Sequence, residues 1–296
     1  MHMDGANAST VFTDQKGKTV TPFGNAQIST TQSKFGGASA LFDGTGDYLT
    51  TPTSADWEFG AGDFSIRTWF VTTNNTTNQC LVCSVDLQAP PYKGWVLRYD
   101  PTQSPAGFRF VAFKGDAGNL SDVAQLSFAP ANNTFYLVSV ERSGNSVKIF
   151  VDGVSIGSVT LVNATTIAAS GRQLMIGSQD SVGAASTGLF GRLDDLLITK
   201  GVVRNTINFT PPSAAFLEYA GQISGTVRDD SGALCARTVR AYLRSSGALV
   251  GSATSDVTTG AYTINTQSLA EHTVISLDDV AGPQYNALVL DKITPV

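Results

Sequence analysis

The run Asp43-Gly-Thr-Gly-Asp47 sets two glycines between two carboxylates, a combination that can cradle phosphate, hold a metal ion or close a turn. A dinucleotide loop needs Gly-x-Gly-x-x-Gly opening a helix. Here the third glycine position is Leu49, and the flanks read as strand. The Lys-Ser/Thr of a P-loop is missing, and the twelfth position of an EF-hand counted from Asp43 is Ser54 in place of the bidentate Glu. Two readings stay open. One is a calcium site that draws carboxylates and carbonyls from separate segments. The other is a tight turn in which Gly permits positive φ and Asp bonds its own backbone.

Other reactive groups are sparse. Cys80-Leu-Val-Cys83 has redox spacing, but Gln79, Leu81, Val82 and Val85 read as strand, whereas a reactive pair needs a helix N-terminus to lower a thiol pKa. A structural zinc wants four ligands, and only His2 and His272 could join the three cysteines. The expectation is reduced thiols in a strand. Neither His2 nor His272 has a credible serine-nucleophile motif, and the expectation is that no Gly-x-Ser-x-Gly occurs. A glycosidase needs two carboxylates facing each other across a cleft. The four Glu residues (Glu58, Glu141, Glu218, Glu271) are scattered, and Asp194-Asp195 are neighbours on a strand, so their side chains should point to opposite faces. An enzyme is disfavoured. Aromatics supply the remaining chemistry, as sugar-stacking platforms or as core. Trp69 reads as core, Trp57 and Tyr92 as exposed, and Trp57, Tyr92 and Trp95 are the candidate ligand-binding residues.

These groups must be positioned by strands. The chain has 296 residues with 29 Gly and 15% charged residues, and only four of its 24 acids are Glu, the helix-favouring acid. Short β-branched and aromatic runs recur at Phe64–Val71, Gly94–Tyr99, Gly107–Phe113, Phe135–Arg142, Leu174–Ser178 and Leu193–Thr199. Val147–Val151 and Val154–Leu161 flank Asp152-Gly153, which suits a type I′ hairpin. Only Ala214–Tyr219 could form a short helix. The prolines of Asn208-Phe-Thr-Pro-Pro-Ser213 close the first part of the chain. From Gly221 a second set of short alternating runs begins, Ile223–Val227, Thr238–Leu243, Ala261–Ile264, Thr273–Leu277 and Ala287–Leu290. The fold class is therefore all-β, with domains at 1–219 and 220–296. A net charge of −5 without a basic run speaks against nucleic acid. No apolar run is long enough to span a bilayer, and no secretion signal is read.

Several motifs occur in a familiar order. "SALFDGTGDYLTTPTSADWEFGAGDFSIRTWF" (Ser39–Phe70) resembles the signature of laminin G-like, concanavalin A-like jelly rolls. "VKIFVDGVSIGS" (Val147–Ser158), "LMIGS" (Leu174–Ser178) and "FGRLDDLLITKGVVRNTINFTPPSAAF" (Phe190–Phe216) follow in that order. The closing segment is similar to those of tailed-phage structural proteins. The C-terminal part resembles small carboxypeptidase-regulatory or transthyretin-like β sandwiches. The resemblance implies a large jelly roll followed by a small Ig/transthyretin-like sandwich in a virion protein of the tail fibre, tail tip or capsid decoration. Its implied partners are other virion subunits and a glycan or protein on the host surface. It also implies a structural calcium held by Asp43 with Asp194 or Asp195. A purely structural assembly module, with a homotrimer as its oligomer, and a polysaccharide depolymerase are the alternatives.

Overall fold

Alternating β-branched and aromatic residues extend into strands because their branched side chains pack well on a pleated surface. In the computed structural model they do so in two units, Met1–Phe216 and Leu217–Val296. The structure describes every residue except 89, 119, 180–186, 217–220, 230, 248, 267–270, 278–287 and 296.

The first unit is a sandwich of two seven-stranded antiparallel sheets. Its strands are β1 (Thr21–Phe23), β2 (Gln27–Ser29), β3 (Ser39–Asp43), β4 (Tyr48–Thr51), β5 (Phe64–Thr72), β6 (Gln79–Asp86), β7 (Lys93–Asp100), β8 (Gly107–Lys114), β9 (Ser121–Ser127), β10 (Tyr136–Ser143), β11 (Ser146–Val151), β12 (Val154–Thr160), β13 (Leu174–Ile176) and β14 (Phe190–Lys200). The first sheet runs β1-β4-β13-β6-β7-β8-β9 and the second β12-β11-β10-β5-β14-β3-β2. Leu49, Leu97, Phe108, Phe110 and Ile176 of the first meet Phe42, Ile66, Phe70, Val140 and Ile149 of the second in one buried core. The hairpin at Asp152-Gly153 forms with φ of 49° and 77°, as a type I′ turn requires. A side chain at Gly153 would also strike the carbonyl of Phe209.

Every residue of β5 is buried, the pattern of a strand covered on both faces. The inner cover is the core. The outer cover is the segment after β14. Phe209 and Phe216 from that segment pack with Phe35, Trp69, Leu137 and Leu197 on the outward side of the second sheet. Trp69 is therefore buried as expected, but in this outer cluster, with the Lys34 ammonium 4.0 Å from its ring centroid. Beneath the segment, Arg67 donates from Nε and Nη2 to Glu141 Oε1, at 3.0 and 2.7 Å, and the Arg204 N–H donates to Oε2. Ser65 and Ser139 complete the shell of this buried carboxylate.

The second unit carries β15 (Gly221–Thr226) paired with β18 (Ala261–Thr266), and a four-stranded sheet β17-β16-β19-β20 of Leu249–Thr254, Thr238–Leu243, His272–Ser276 and Leu288–Ile293. Ile223, Val239, Ala241, Ile264 and Val274 form its core. Of the helix expected at Ala214–Tyr219, Ala214–Phe216 are not helical and the rest lies outside the described residues. No helix among the described residues is long and apolar enough to cross a membrane.

Candidate ligand-binding face

Phe209 and Phe216 cover the outer side of the second sheet around Trp69 and Leu137, and the outward side of the first sheet carries the other cluster of aromatic and charged groups. Alternation decides what stands there. Leu97, Tyr99, Phe108 and Phe110 point into the core, so Val96, Arg98 and Asp100 of β7 and Arg109 and Val111 of β8 point out. Register places Cys83, Val96, Val111 and Val123 opposite one another along one row, and Cys80, Arg98, Arg109 and Gln125 along the next. Tyr48, Cys80, Cys83, Val96 and Met175 form an apolar floor, with Val85 and Phe113 packed against it. At the β1 edge Phe23 stacks on Tyr48, centroids 4.5 Å apart and planes within 10°. Phe23 keeps 40% of its surface exposed.

The two cysteines share this face because of a register shift in β6 between Cys80 and Val82. An extra residue in the strand turns two positions three apart onto one side. Both thiols are free and fully buried. The hydrogen bond with Cys80, then burial, push the Cys83 thiol well up, which keeps it protonated and unreactive.

Polar chemistry concentrates at Arg98, Arg109 and Asp100. Asp100 is 1% exposed, and its Oδ1 accepts from the Thr102 N–H and hydroxyl. Its Oδ2 lies 2.9 Å from Arg109 Nη1 and 3.5 Å from Arg98 Nη2. Arg98 Nη1 also donates to Gln179 Oε1 at 3.3 Å. Despite burial, these donors hold the Asp100 carboxyl below the usual range.

The residues singled out in the sequence fall in different places. Trp95 is fully buried; its Nε1 donates to the Trp57 carbonyl and its ring stacks on Phe59. Trp57 is only 9% exposed, with Nε1 on the Pro52 carbonyl and the Lys18 ammonium 5.3 Å from its ring centroid. Both are core residues, which corrects the expectation that they meet a ligand. Trp95 alternates into the sandwich, and Trp57 folds under it from a 3₁₀ turn, Ala55–Trp57. Tyr92 is half-buried, edge-on to Phe113 on the outward face.

The candidate calcium ligands do not converge. Asp43 faces Phe190 across the β3–β14 ladder, and Asp194 is four residues further along, roughly 13 Å at strand rise. Asp43 Oδ1 accepts the Thr45 N–H, closing the turn, while Gly44 and Gly46 take positive φ. The carboxylate that organises this turn is Asp47, 1% exposed, which accepts from the N–H groups of Asn25 and Asp43. Asp194 and Asp195 do not alternate cleanly either. A bulge between Asp194 and Leu197 puts Asp195 at φ 49°, and the two carboxylates repel each other. Asp195 spends its oxygens on His2 Nδ1 at 2.5 Å and the Phe216 N–H. Asp194 Oδ2 accepts the N–H groups of Lys34 and Phe35, but its Oδ1 is buried without a partner. Among the described residues, no three His, Cys, Asp or Glu side chains are grouped to hold a metal.

The expectation that no Gly-x-Ser-x-Gly occurs is corrected by the chain itself. Gly153-Val-Ser155-Ile-Gly157 spells the Gly-x-Ser-x-Gly of a nucleophile elbow, which needs a strand-to-helix turn. Here it is a hairpin and edge strand, and the Ser155 N–H is held by Asn208 Oδ1.

A model of the laminin G 3 family, described as the concanavalin A-like lectin/glucanases superfamily, matches residues 43–205. The chain belongs to this family. No curated protein matches the laminin G-like chain in sequence. Among solved structures it is similar to domain 4 of AbnA, a GH43 extracellular arabinanase from Geobacillus stearothermophilus in complex with arabinotriose. That match has 14% identity and a TM-score of 0.46, covering 63% of this chain and 84% of that one. It is also similar to the CBM40 of the Ruminococcus gnavus IT-sialidase bound to α2,3-sialyllactose, at 13% identity and TM-score 0.42, covering 49% and 78%. A third is the binding domain of Paraclostridial Mosquitocidal Protein 1, at 12% identity and TM-score 0.48, covering 94% and 71%. At these identities the likeness is one of fold. The arginine pair of the laminin G-like unit was legible only as two polar positions in apolar strands, Arg98 in "WVLRY" and Arg109 in "FRFVAF".

Proposed function

We propose that this laminin G-like chain is a non-enzymatic virion-surface module whose jelly roll binds a glycan, free or carried on a host protein, through the outward face of its first sheet. The observation that carries the binding reading is the contrast between the faces. The outward side of the second sheet around Trp69 and Leu137 is covered by Phe209 and Phe216, whereas on the first sheet Phe23, half-buried Tyr92 and an arginine pair keep partial exposure around a buried apolar floor. Stacked rings suit the C–H faces of sugars, and the polar row supplies donors for hydroxyls. The virion reading is supported by the order of motifs and the Asn-Phe-Thr-Pro-Pro close, with the second unit as a transthyretin-like attachment module for other virion subunits. A glycan array tests the binding claim. Wild type is expected to give hits that Phe23→Ala weakens about tenfold, by loss of one stacking ring. Val154→Ala, on the exposed β12 edge, is expected to leave them unchanged. An array without hits, or with hits insensitive to Phe23, would count against it. Labelling of particles with antibody to this chain tests the location.

A structural calcium is proposed at the Asp194 end of the sheet. The bare, buried Oδ1 of Asp194 beside the charges of Asp4 and Asp195 is the feature that suits a hard cation. Asp194 and Asp4 would hold it with backbone carbonyls and water, and it would supply charge neutralisation there.

A further inference from the structure

Arg98 and Arg109 are direct cross-strand neighbours on the outward face. Two guanidiniums so placed repel each other unless anions separate them. Among the described residues one anion is present. Asp100 accepts from Arg109 and lies 3.5 Å from Arg98, and its other oxygen is taken by Thr102. Among the described residues the cluster therefore keeps one more positive than negative charge, in a chain of net charge −5. It also keeps unspent donors. The Nε–H groups of both arginines are buried and have no acceptor. The surroundings are poorly solvated, with Arg98 18% and Arg109 13% exposed. Burial, and then the charge of Arg109, draw the Arg98 guanidinium below its ordinary value. A planar fork with free donors and a spare charge is what a carboxylate accepts bidentately. Next to it runs the apolar row of Val96, Val111 and Val123. The Phe23–Tyr48 stack stands three strand spacings from Arg98, roughly 14 Å, or about two sugar rings.

We propose that Arg98 and Arg109 form the subsite for the carboxylate of an acidic sugar, so that the laminin G-like unit reads uronic- or sialic-acid-containing chains. This rests on the reading of the first sheet's outward face as a glycan-binding face. The residual charge attracts the anion, the paired guanidiniums orient it, and the half-buried Val123 at the end of the apolar row meets the ring. A neutral sugar would leave both Nε–H groups buried and unpaired, which is the basis of discrimination.

The test compares matched pairs by calorimetry at low salt: oligogalacturonate against its methyl ester, and α2,3-sialyllactose against lactose. The acidic member of at least one pair is expected to bind about tenfold or more tightly, with the preference falling as salt rises. Arg109→Gln is expected to abolish the preference. Because that change leaves Asp100 short of a partner, Arg98→Lys is the second variant. It keeps the charge, loses the fork, and should retain the melting temperature while losing most of the preference. Equal binding of acidic and neutral members overturns the subsite and leaves the glycan reading standing. Binding of no saccharide, with an acidic peptide captured instead, overturns both. Acetate competing as well as galacturonate overturns the sugar part, because the site would then be a bare carboxylate trap.

Discussion

Asp194 is the carboxylate furthest from ordinary behaviour. Burial, then the charges of Asp195 and Asp4, raise it from 3.8 to about 7, against the pull of two backbone N–H donors. The sign of its effect follows. The folded state holds this proton more tightly than the unfolded chain, so the associated stability is complete below pH 3.8 and is lost as pH climbs towards 7. With chelator present, urea denaturation is expected to show stability falling between pH 4 and 7, by up to about 1.4 kcal/mol per unit. Asp194→Asn, which cannot ionise, should flatten that slope. Calcium favours the ionised form, so it should raise the melting temperature of wild type at pH 8 and not that of Asp194→Asn. An equal response in both proteins would remove calcium from this site. None of this was legible in "LDDLL". Spacing showed two adjacent acids, but the bulge that brings their charges together depends on how the N-terminal residues and Phe216 pack on them.

Among the elements, the segment after β14 does most to define the first unit. It buries β5 on its second face, caps Glu141 with the Arg204 N–H and seats Phe209 under the Arg67 guanidinium. Glu141→Ala would leave Arg67 buried beside an empty partner position. A loss of about 3 kcal/mol or more is expected in denaturant unfolding, and a change below about 1 kcal/mol would show that the pair is not buried in solution. The strands themselves were largely legible. The Asp-Gly hairpin formed where expected, because both turn residues tolerate positive φ. Two kinds of feature were not. Alternation says which side chains share a face, but not whether chain lies over that face, so the outer cluster around Trp69 could not be distinguished from the sandwich core. Nor does an aromatic declare its depth. Trp57 sits among Asp and Glu in "ADWE", yet its ring turns inward, while Phe23, within "TPF", stays at the surface. Short strands without β-branched runs, such as Leu249–Thr254 with its Gly and Ser, also gave too little pattern to read.

For the whole molecule, the laminin G-like family sets the sandwich, and on the outward side of its first sheet Phe23, Arg98 and Arg109 keep partial exposure. The turn at Asp43–Asp47 is part of the scaffold, held by the buried Asp47. The central claim is that ligand meets the outward side of the first sheet. Hydrogen–deuterium exchange of the protein with and without a polysaccharide hit from the array tests it directly. Protection is expected in Gln79–Asp86, Lys93–Asp100 and Gly107–Lys114, the strands that carry the floor and the arginine pair. Protection confined to residues 203–216 or to the strands beneath them would place the ligand on the opposite side and contradict the account.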